Sequence, residues 1–390
     1  MTKEIELNKR LLFFIASQFI STKYISDIKI LGSGNINLTF HVVTKGDYLD
    51  HSFVIQRLSK IFSKPENLTS NVKLIGNHLN NKKKYLLDSG NKIDRRMEIP
   101  LIVFNSLGKT NLYYHEGNYW RAFSYINNTK SIAKIEKSYQ AKEVGYGLGL
   151  FHSMLIDMPA DDLKVNIDNF HDVKHYFEEY DDCFFENRFI KVLESKTKIR
   201  VLKLVDLINS RRQSVINSFN YLNNTSKNIG VIHGDPKLGN FLFESEDGNF
   251  ASLIDLDTLQ KGNLFVDLSD CLRSCCNKTG EVIGSCNSVF FDYSILENIL
   301  IGYLKNGKQL FSYTEFKLLP DFIYLIIFEL GLRFFTDFLN KKNYFKIDYP
   351  THNLFRAENQ FLLLDSFESK MHTLENLLDD LWSDNFSKQG

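Results

Sequence analysis

Net charge is the first thing this sequence lacks: 47 Lys and Arg stand against 47 Asp and Glu. A balanced chain gives no support to a nucleic-acid groove or a membrane-surface patch, both of which need surplus positive charge. Cysteine is scarce. Cys183, Cys271, Cys275, Cys276 and Cys286 contain no C-x-x-C pair. Nothing suggests a disulfide framework, and the expected compartment is a reducing cytoplasm. The close group Cys271, Cys275 and Cys276 reads as helix core filler rather than a metal site. Long apolar runs are also missing. The most apolar segment, FIYLIIFELGLRFF (322–335), carries Glu329 and Arg333 and is too short to span a bilayer. The N-terminal MTKEIELNKRLLFFIASQF has no small-residue cleavage site and predicts an amphipathic helix rather than a signal peptide. Neither an internal repeat nor a low-complexity linker breaks the chain. What remains is a globular chain expected to be soluble. Its 390 residues, 43% hydrophobic with 33 Phe, suffice for two lobes.

The pattern changes near residue 126. Before it, DIKILGSGNINLTFHVVTKG reads as a hairpin turning near Gly32 to Asn37, and HSFVIQRL as a third strand. A helix follows Pro65 through Leu68, Val72, Ile75 and Leu79. IPLIVFNS, NLYYHE and YWRAFSYI predict a meander, with LGKT and GN as its turns. LGKT is not a nucleotide-binding P-loop, because the required earlier glycine is Val103. After residue 126, SIAKIEKSYQAKEVGYGLGLFHSML predicts one long helix, whose Gly145, Gly147 and Gly149 imply close packing against another element. HDVKHYFEEYDDCF and KIRVLKLVDLINSRRQSVINSFNYLNN predict two more. The expectation is an α+β, protein-kinase-like bilobal fold. A small antiparallel β-rich N-lobe (1–126) binds nucleotide, and a large, mainly helical C-lobe (127–390) carries the catalytic and acceptor-binding residues.

One β-rich island interrupts the second lobe: VIHGDPKLGNFLFESEDGNFASLIDLD, residues 231–257. It turns at Gly234, and the strands FLF and ASLID make a hairpin around Glu246-Asp247-Gly248. Asn240 and Asp255 then fall at neighbouring strand ends, beside the loop carrying Asp235. Phosphoryl transfer from ATP needs a carboxylate to take the acceptor's proton and oxygen ligands to hold Mg²⁺. Protein kinases place a metal-binding Asn five residues after the catalytic Asp, and a second metal Asp after a short hairpin. The same offsets make Asp235 the expected base, Asn240 and Asp255 the expected metal ligands, and His233 an orienter of the loop.

The stretch resembles the aminoglycoside phosphotransferases and choline kinases, whose loop also reads HGDxxxxN. It resembles N-acetylhexosamine 1-kinases more closely, through IDLDT (254–258) and SDCLRS (269–274), the latter matching a helix start in that family. GSGNIN, FVIQRL, WRAFSYI, FHSMLIDMPADDL, FELGLRFFTDFL and YFKIDYPTHNLFRAENQF extend the likeness, in order, over nearly the whole chain. Pro236 and Gly239 within the loop, and Ser269 in place of a glycine, depart from the family pattern. The resemblance implies a sugar 1-kinase that uses ATP and Mg²⁺. The alternatives are a kinase of another small alcohol, choline-like or aminoglycoside, and a catalytically idle nucleotide-binding member.

On the nucleotide side, Gly32, Ser33, Gly34 and Asn35 form the candidate phosphate-covering turn. The third-strand lysine of protein kinases is missing from FVIQRL, so Gln56 or Arg57 must take its place, and strand alternation lets only one point inward. Ser124, Tyr125 and Ile126 are the expected hinge to adenine. On the acceptor side, Glu329, Arg333 and Asp337 recur at i, i+4 and i+8 on an apolar helix, where a charged stripe must be paired or serve a ligand. Asp257, expected on the same strand face as Asp255, and Arg333 are the leading sugar contacts. Asn353 and Arg356 follow. The expected partners are a small-molecule sugar and a nucleotide, with neither nucleic acid nor membrane.

Overall fold

The computed structural model describes residues 9–31, 36–48, 51–62, 64–90, 94–106, 111–186, 193–281, 289–341 and 344–384. The turn Gly32–Asn35, the LGKT segment and Cys286 lie outside them. Strands β1 (Ile25–Ile30), β2 (Leu38–Thr44) and β3 (Phe53–Arg57) pair antiparallel. Then come β4 (Ile102–Val103), β5 (Leu112–His115) and β6 (Asn118–Ser124), and the sheet runs β1-β2-β3-β6-β4 with β5 also on β6. Glu116 and Gly117, both at positive φ, make the β5–β6 turn, the backbone geometry that suits the twist of a two-residue hairpin. Alternation gives this sheet two faces. Phe53, Ile55, Trp120 and Ala122 point to one, where helix α1 (Lys9–Ala16) covers them with Leu12 and Ile15. The other face meets the second lobe. Helix α2 (Pro65–Asp88) starts on Pro65, which has no N–H to leave unsatisfied, and buries Val72, Ile75 and Leu79 in the main core.

Beyond β6, the short β7 (Thr129–Lys130) joins a second sheet. Helix α3 runs from Ser138 to Leu155, so the helix expected from Ser131 begins seven residues later. The cause is Gln140, whose side-chain oxygen accepts the N–H groups of Glu136 and Lys137 and caps the chain at that point. Helices α4 (Val173–Glu186) and α5 (Ser195–Thr225) follow. The island forms β8 (Ile229–Ile232), β9 (Phe241–Glu244), β10 (Phe250–Leu253) and β11 (Gln260–Asn263), with β8 on β11 and β9 between β10 and β7. Helix α6 (Leu264–Cys276) is capped by Asn263, whose side chain accepts from the Phe265 N–H. SDCLRS is therefore mid-helix, not a helix start. Cys271, Cys275 and Cys276 are buried there. The chain ends with α7 (Tyr293–Gly307), α8 (Tyr313–Phe316), α9 (Leu319–Asn340), α10 (His352–Glu368) and α11 (Met371–Asp384).

The glycines of α3 lie where it crosses α7. A Cβ on Gly145 would fall 1.8 Å from the Ile299 carbonyl oxygen, and one on Gly302 would fall 2.0 Å from that of Lys142. The two main chains thus touch directly. The result is the bilobal arrangement expected, a small antiparallel sheet lobe beside a large helical one. Among the described residues, no helix is long and apolar enough to cross a membrane.

Candidate active site

The loop after β8 is held from below. Gly234 sits at φ +85, and a Cβ there would approach the Thr258 carbonyl oxygen to 2.6 Å, so only glycine fits. Asp267, fully buried on α6, accepts the backbone N–H of His233 at 2.5 Å and of Gly234 at 2.7 Å. His152 of α3 donates a third bond to Asp267 at 3.0 Å, while its other ring nitrogen meets the Tyr303 hydroxyl at 2.8 Å. Burial alone would raise the Asp267 carboxyl. The His152 bond, the neighbouring histidines and the Gly234 N–H outweigh it and hold the carboxyl below its ordinary value.

His233 is also buried. Its Nε2 donates to the Ile254 carbonyl at 2.9 Å, which leaves Nδ1 to accept the Asp235 N–H at 3.2 Å. One tautomer serves both bonds, and the imidazole orients the loop rather than facing a reactant. The Asp235 carboxylate pairs with Lys237 Nζ at 2.5 Å. Asn240 spends its amide nitrogen on the Asp235 carbonyl at 2.8 Å, so its side-chain oxygen is the atom left for a cation.

Antiparallel pairing of Phe241 with Leu253, and an Ile254 N–H bond to the Asn240 carbonyl at 2.9 Å, bring Asp255 beside Asn240. Strand β10 has already ended, and Asp255 takes a left-handed φ of 65. Desolvation, then the charge of Asp257 and that of Asp235, push its carboxyl up to about 6 against the pull of Lys237. Asp255 and the Asn240 side-chain oxygen are hard-oxygen donors of the kind a divalent cation such as Mg²⁺ takes, although among the described residues no cluster of three or more acidic, His or Cys groups is gathered to hold a metal.

Asp257 does not share a strand face with Asp255. It lies in a turn of 3₁₀ helix, Leu256–Thr258, which rotates it toward the first lobe. There its two oxygens accept from Arg121 Nη2 at 2.5 Å and Asn37 Nδ2 at 2.6 Å. It is absent from the acceptor cavity described below. Gln56 faces the same way, opposite Arg121 in the β3–β6 register, and its Oε1 accepts Arg121 Nε at 3.0 Å and Nη2 at 2.8 Å. Arg57 alternates to the other face, into a groove with Leu38 and Lys60. In the hinge, the Ser124 N–H bonds Leu101 at 2.8 Å and the Tyr125 N–H bonds Ser52 at 3.1 Å. Among the described residues the Ile126 N–H has no such partner.

A cavity opens beside Asp235, between the loop and α9. Arg333 reaches into it through a box of aromatic rings. Its guanidinium carbon lies 5.2 Å from the centre of Phe170, 4.9 Å from Tyr176, 5.6 Å from Tyr344 and 5.5 Å from Phe345. Glu329 is 3.8 Å away and also accepts from His171 Nδ1 at 3.0 Å. The other His171 nitrogen lies 3.2 Å from the Gly234 carbonyl, tying α9 to the loop that carries Asp235. Asn169 and His171 both hold positive φ, a strained path that aims this imidazole. Asp270 pairs with Arg273 at 2.7 Å on the α6 wall.

Asp337, Asn353 and Arg356 lie outside the cavity and are buried rather than exposed. Asp337 accepts the N–H groups of Tyr344 and Phe345 at 2.9 and 3.1 Å and the Asn353 amide at 2.8 Å. Arg356 donates to Asn353 and to the Lys346 carbonyl. Together they fix the α9–α10 connection that places Tyr344 and Phe345 against Arg333.

Residues 107–285 match the model of the phosphotransferase enzyme family. The protein is a small-molecule phosphotransferase. Its fold is similar to that of a microcompartment-associated aminopropanol kinase, at TM-score 0.59 and 14% identity over 94% of this chain and 98% of that one. A Plasmodium vivax ethanolamine kinase gives 0.58 and 14% over 93% and 89%. A choline kinase from Cryptosporidium parvum Iowa II gives 0.53 and 13% over 95% and 98%. In this phosphotransferase the structure brings together Asp235, Asn240 and Asp255, and adds Arg121, His171, Asp267 and Asp270, to which the sequence assigns no role.

Proposed function

We propose that the protein is an ATP- and Mg²⁺-dependent kinase that phosphorylates a hydroxyl of a neutral sugar, the anomeric hydroxyl of an N-acetylhexosamine. Residues 1–126 serve as the nucleotide lobe and 127–390 as the catalytic and acceptor lobe. The carrying observation is the aromatic box around Arg333. A quaternary or primary ammonium is bound well by such a box, but here the protein's own guanidinium fills it. The cavity therefore offers hydrogen-bond donors from Arg333, and acceptors from Asp235 and Asp270, a mixture suited to hydroxyl and amide groups. The whole-chain sequence likeness supplies the particular sugar.

In this reading Asp235 accepts the proton of the attacking hydroxyl. His233 and Asp267 keep its loop from drifting, and Lys237 pairs with its carboxylate. Asn240 and Asp255 would hold Mg²⁺, which when bound would supply charge neutralisation for phosphoryl transfer. The test is ADP release measured over N-acetylglucosamine, N-acetylgalactosamine, choline, ethanolamine and kanamycin. Sugar-dependent release that falls roughly 10²–10⁴-fold in Asp235→Asn is expected. Release with choline or ethanolamine but no sugar would overturn the acceptor class. Undiminished release in the variant would overturn the base.

A further inference from the structure

We propose that Arg121 on β6 supplies the cationic contact to the nucleotide's phosphates that β3 lacks. Gln56 and Asp257 hold its guanidinium in place. The inference concerns the nucleotide side and rests on the reading of this lobe as the ATP lobe, not on which acceptor is used. Gln56 occupies the inward position of β3 but carries no charge. Directly across the β3–β6 pair, Arg121 puts a guanidinium on the same face.

That side chain is only 1% exposed. Its Nε donates to Gln56, and its Nη2 to Gln56 and Asp257. Nη1, which carries two N–H groups, has no hydrogen-bond partner among the described residues. Buried N–H groups left without an acceptor are costly, and such sites are completed by water or by an anion; a charged donor bonds an anion the more strongly. The surroundings specify which anion. Asp257 is two residues beyond Asp255, the proposed cation ligand, and its second oxygen holds Asn37 of the first lobe. The phosphates of a nucleotide whose cation sat at Asp255 would therefore lie beside the Asp257–Arg121 pair. The planar fork would grip two phosphate oxygens where an ammonium grips one. Asp257 is then a positioning residue, not a sugar contact.

Binding of MgATP, MgADP and adenosine to the full chain, measured calorimetrically, tests this without any acceptor. Arg121→Met should weaken MgATP and MgADP at least ten-fold and leave adenosine within two-fold. Adding Gln56→Lys to that variant should restore most of the loss, because it returns a cation to the neighbouring register position. Equal loss for MgATP and adenosine, or no loss for either, would overturn the proposal. Should Arg121→Met fail to fold, a crystal structure of the wild-type protein with MgADP decides. A guanidinium nitrogen within about 3.2 Å of a phosphate oxygen sustains the assignment. A guanidinium bonded only to Gln56 and Asp257 refutes it.

Discussion

Asp267 and Gly234 are 33 residues apart in sequence, yet the carboxylate of one lies 2.7 Å from the amide nitrogen of the other. That bond, with its partner to His233, fastens the loop that carries Asp235 to the first turn of helix α6.

Replacing Asp267 with Asn removes the charge and turns an amide donor toward backbone donors. We expect a loss of about 3 kcal/mol in urea unfolding at pH 7, together with at least a ten-fold fall in kcat. The pH dependence has a definite sign. The folded carboxyl is held below its ordinary 3.8, so its contribution is complete above that value and lost as pH falls through the folded pKa. The stability gap between wild type and variant should be full at pH 7 and shrink below about pH 4.

His171 should act in the opposite sense. Burial would lower its pKa, but the charge of Glu329 and its hydrogen bond raise it above the ordinary 6.5. Its stabilisation is therefore complete below pH 6.5 and lost as pH rises through the folded value. Denaturant midpoints between pH 6 and 9 should decline in wild type and stay flatter in His171→Gln. Parallel curves would remove His171 as the titrating group.

Two glycines separate packing from chemistry. Gly145→Ala forces a methyl into the Ile299 carbonyl, 1.8 Å away, and should cost at least about 2 kcal/mol by thermal unfolding. Gly239→Ala, in the catalytic loop, meets nothing within 4 Å and should change stability by less than about 0.5 kcal/mol.

Arg333→Met empties the aromatic box of charge. The expected result is a ten-fold or greater rise in acceptor KM, the equivalent of about 1.4 kcal/mol, with MgADP affinity unchanged. Equal losses for both ligands would assign Arg333 to the frame of the lobe.

The parts of this design that were legible in the sequence are the local ones. Strand alternation in FVIQRL, the glycine spacing of α3 and the offset between Asp235 and Asn240 are encoded within a few residues of one another. Arg121 and Asp267 were not legible, because each acts on a partner far along the chain that no periodicity reveals. Asp257 misled for a related reason. Continuing β10 to residue 257 is reasonable from ASLIDLD, but the left-handed turn at Asp255 ends the strand and points Asp257 at the opposite lobe. Asn353 and Arg356 read as sugar contacts until Asp337, a helix away, is seen to claim Asn353.

The glycine crossing of α3 and α7 has a mechanical consequence. His152 and Tyr303, one on each of those helices, meet at 2.8 Å, and His152 in turn bonds the Asp267 that holds the loop. The loop carrying Asp235 is thus footed, through the side chains of Asp267, His152 and Tyr303 alone, on two helices whose main chains touch. Drift in the surrounding sequence can retune the cavity walls and the nucleotide sheet while the anvil beneath Asp235 stays at a fixed height.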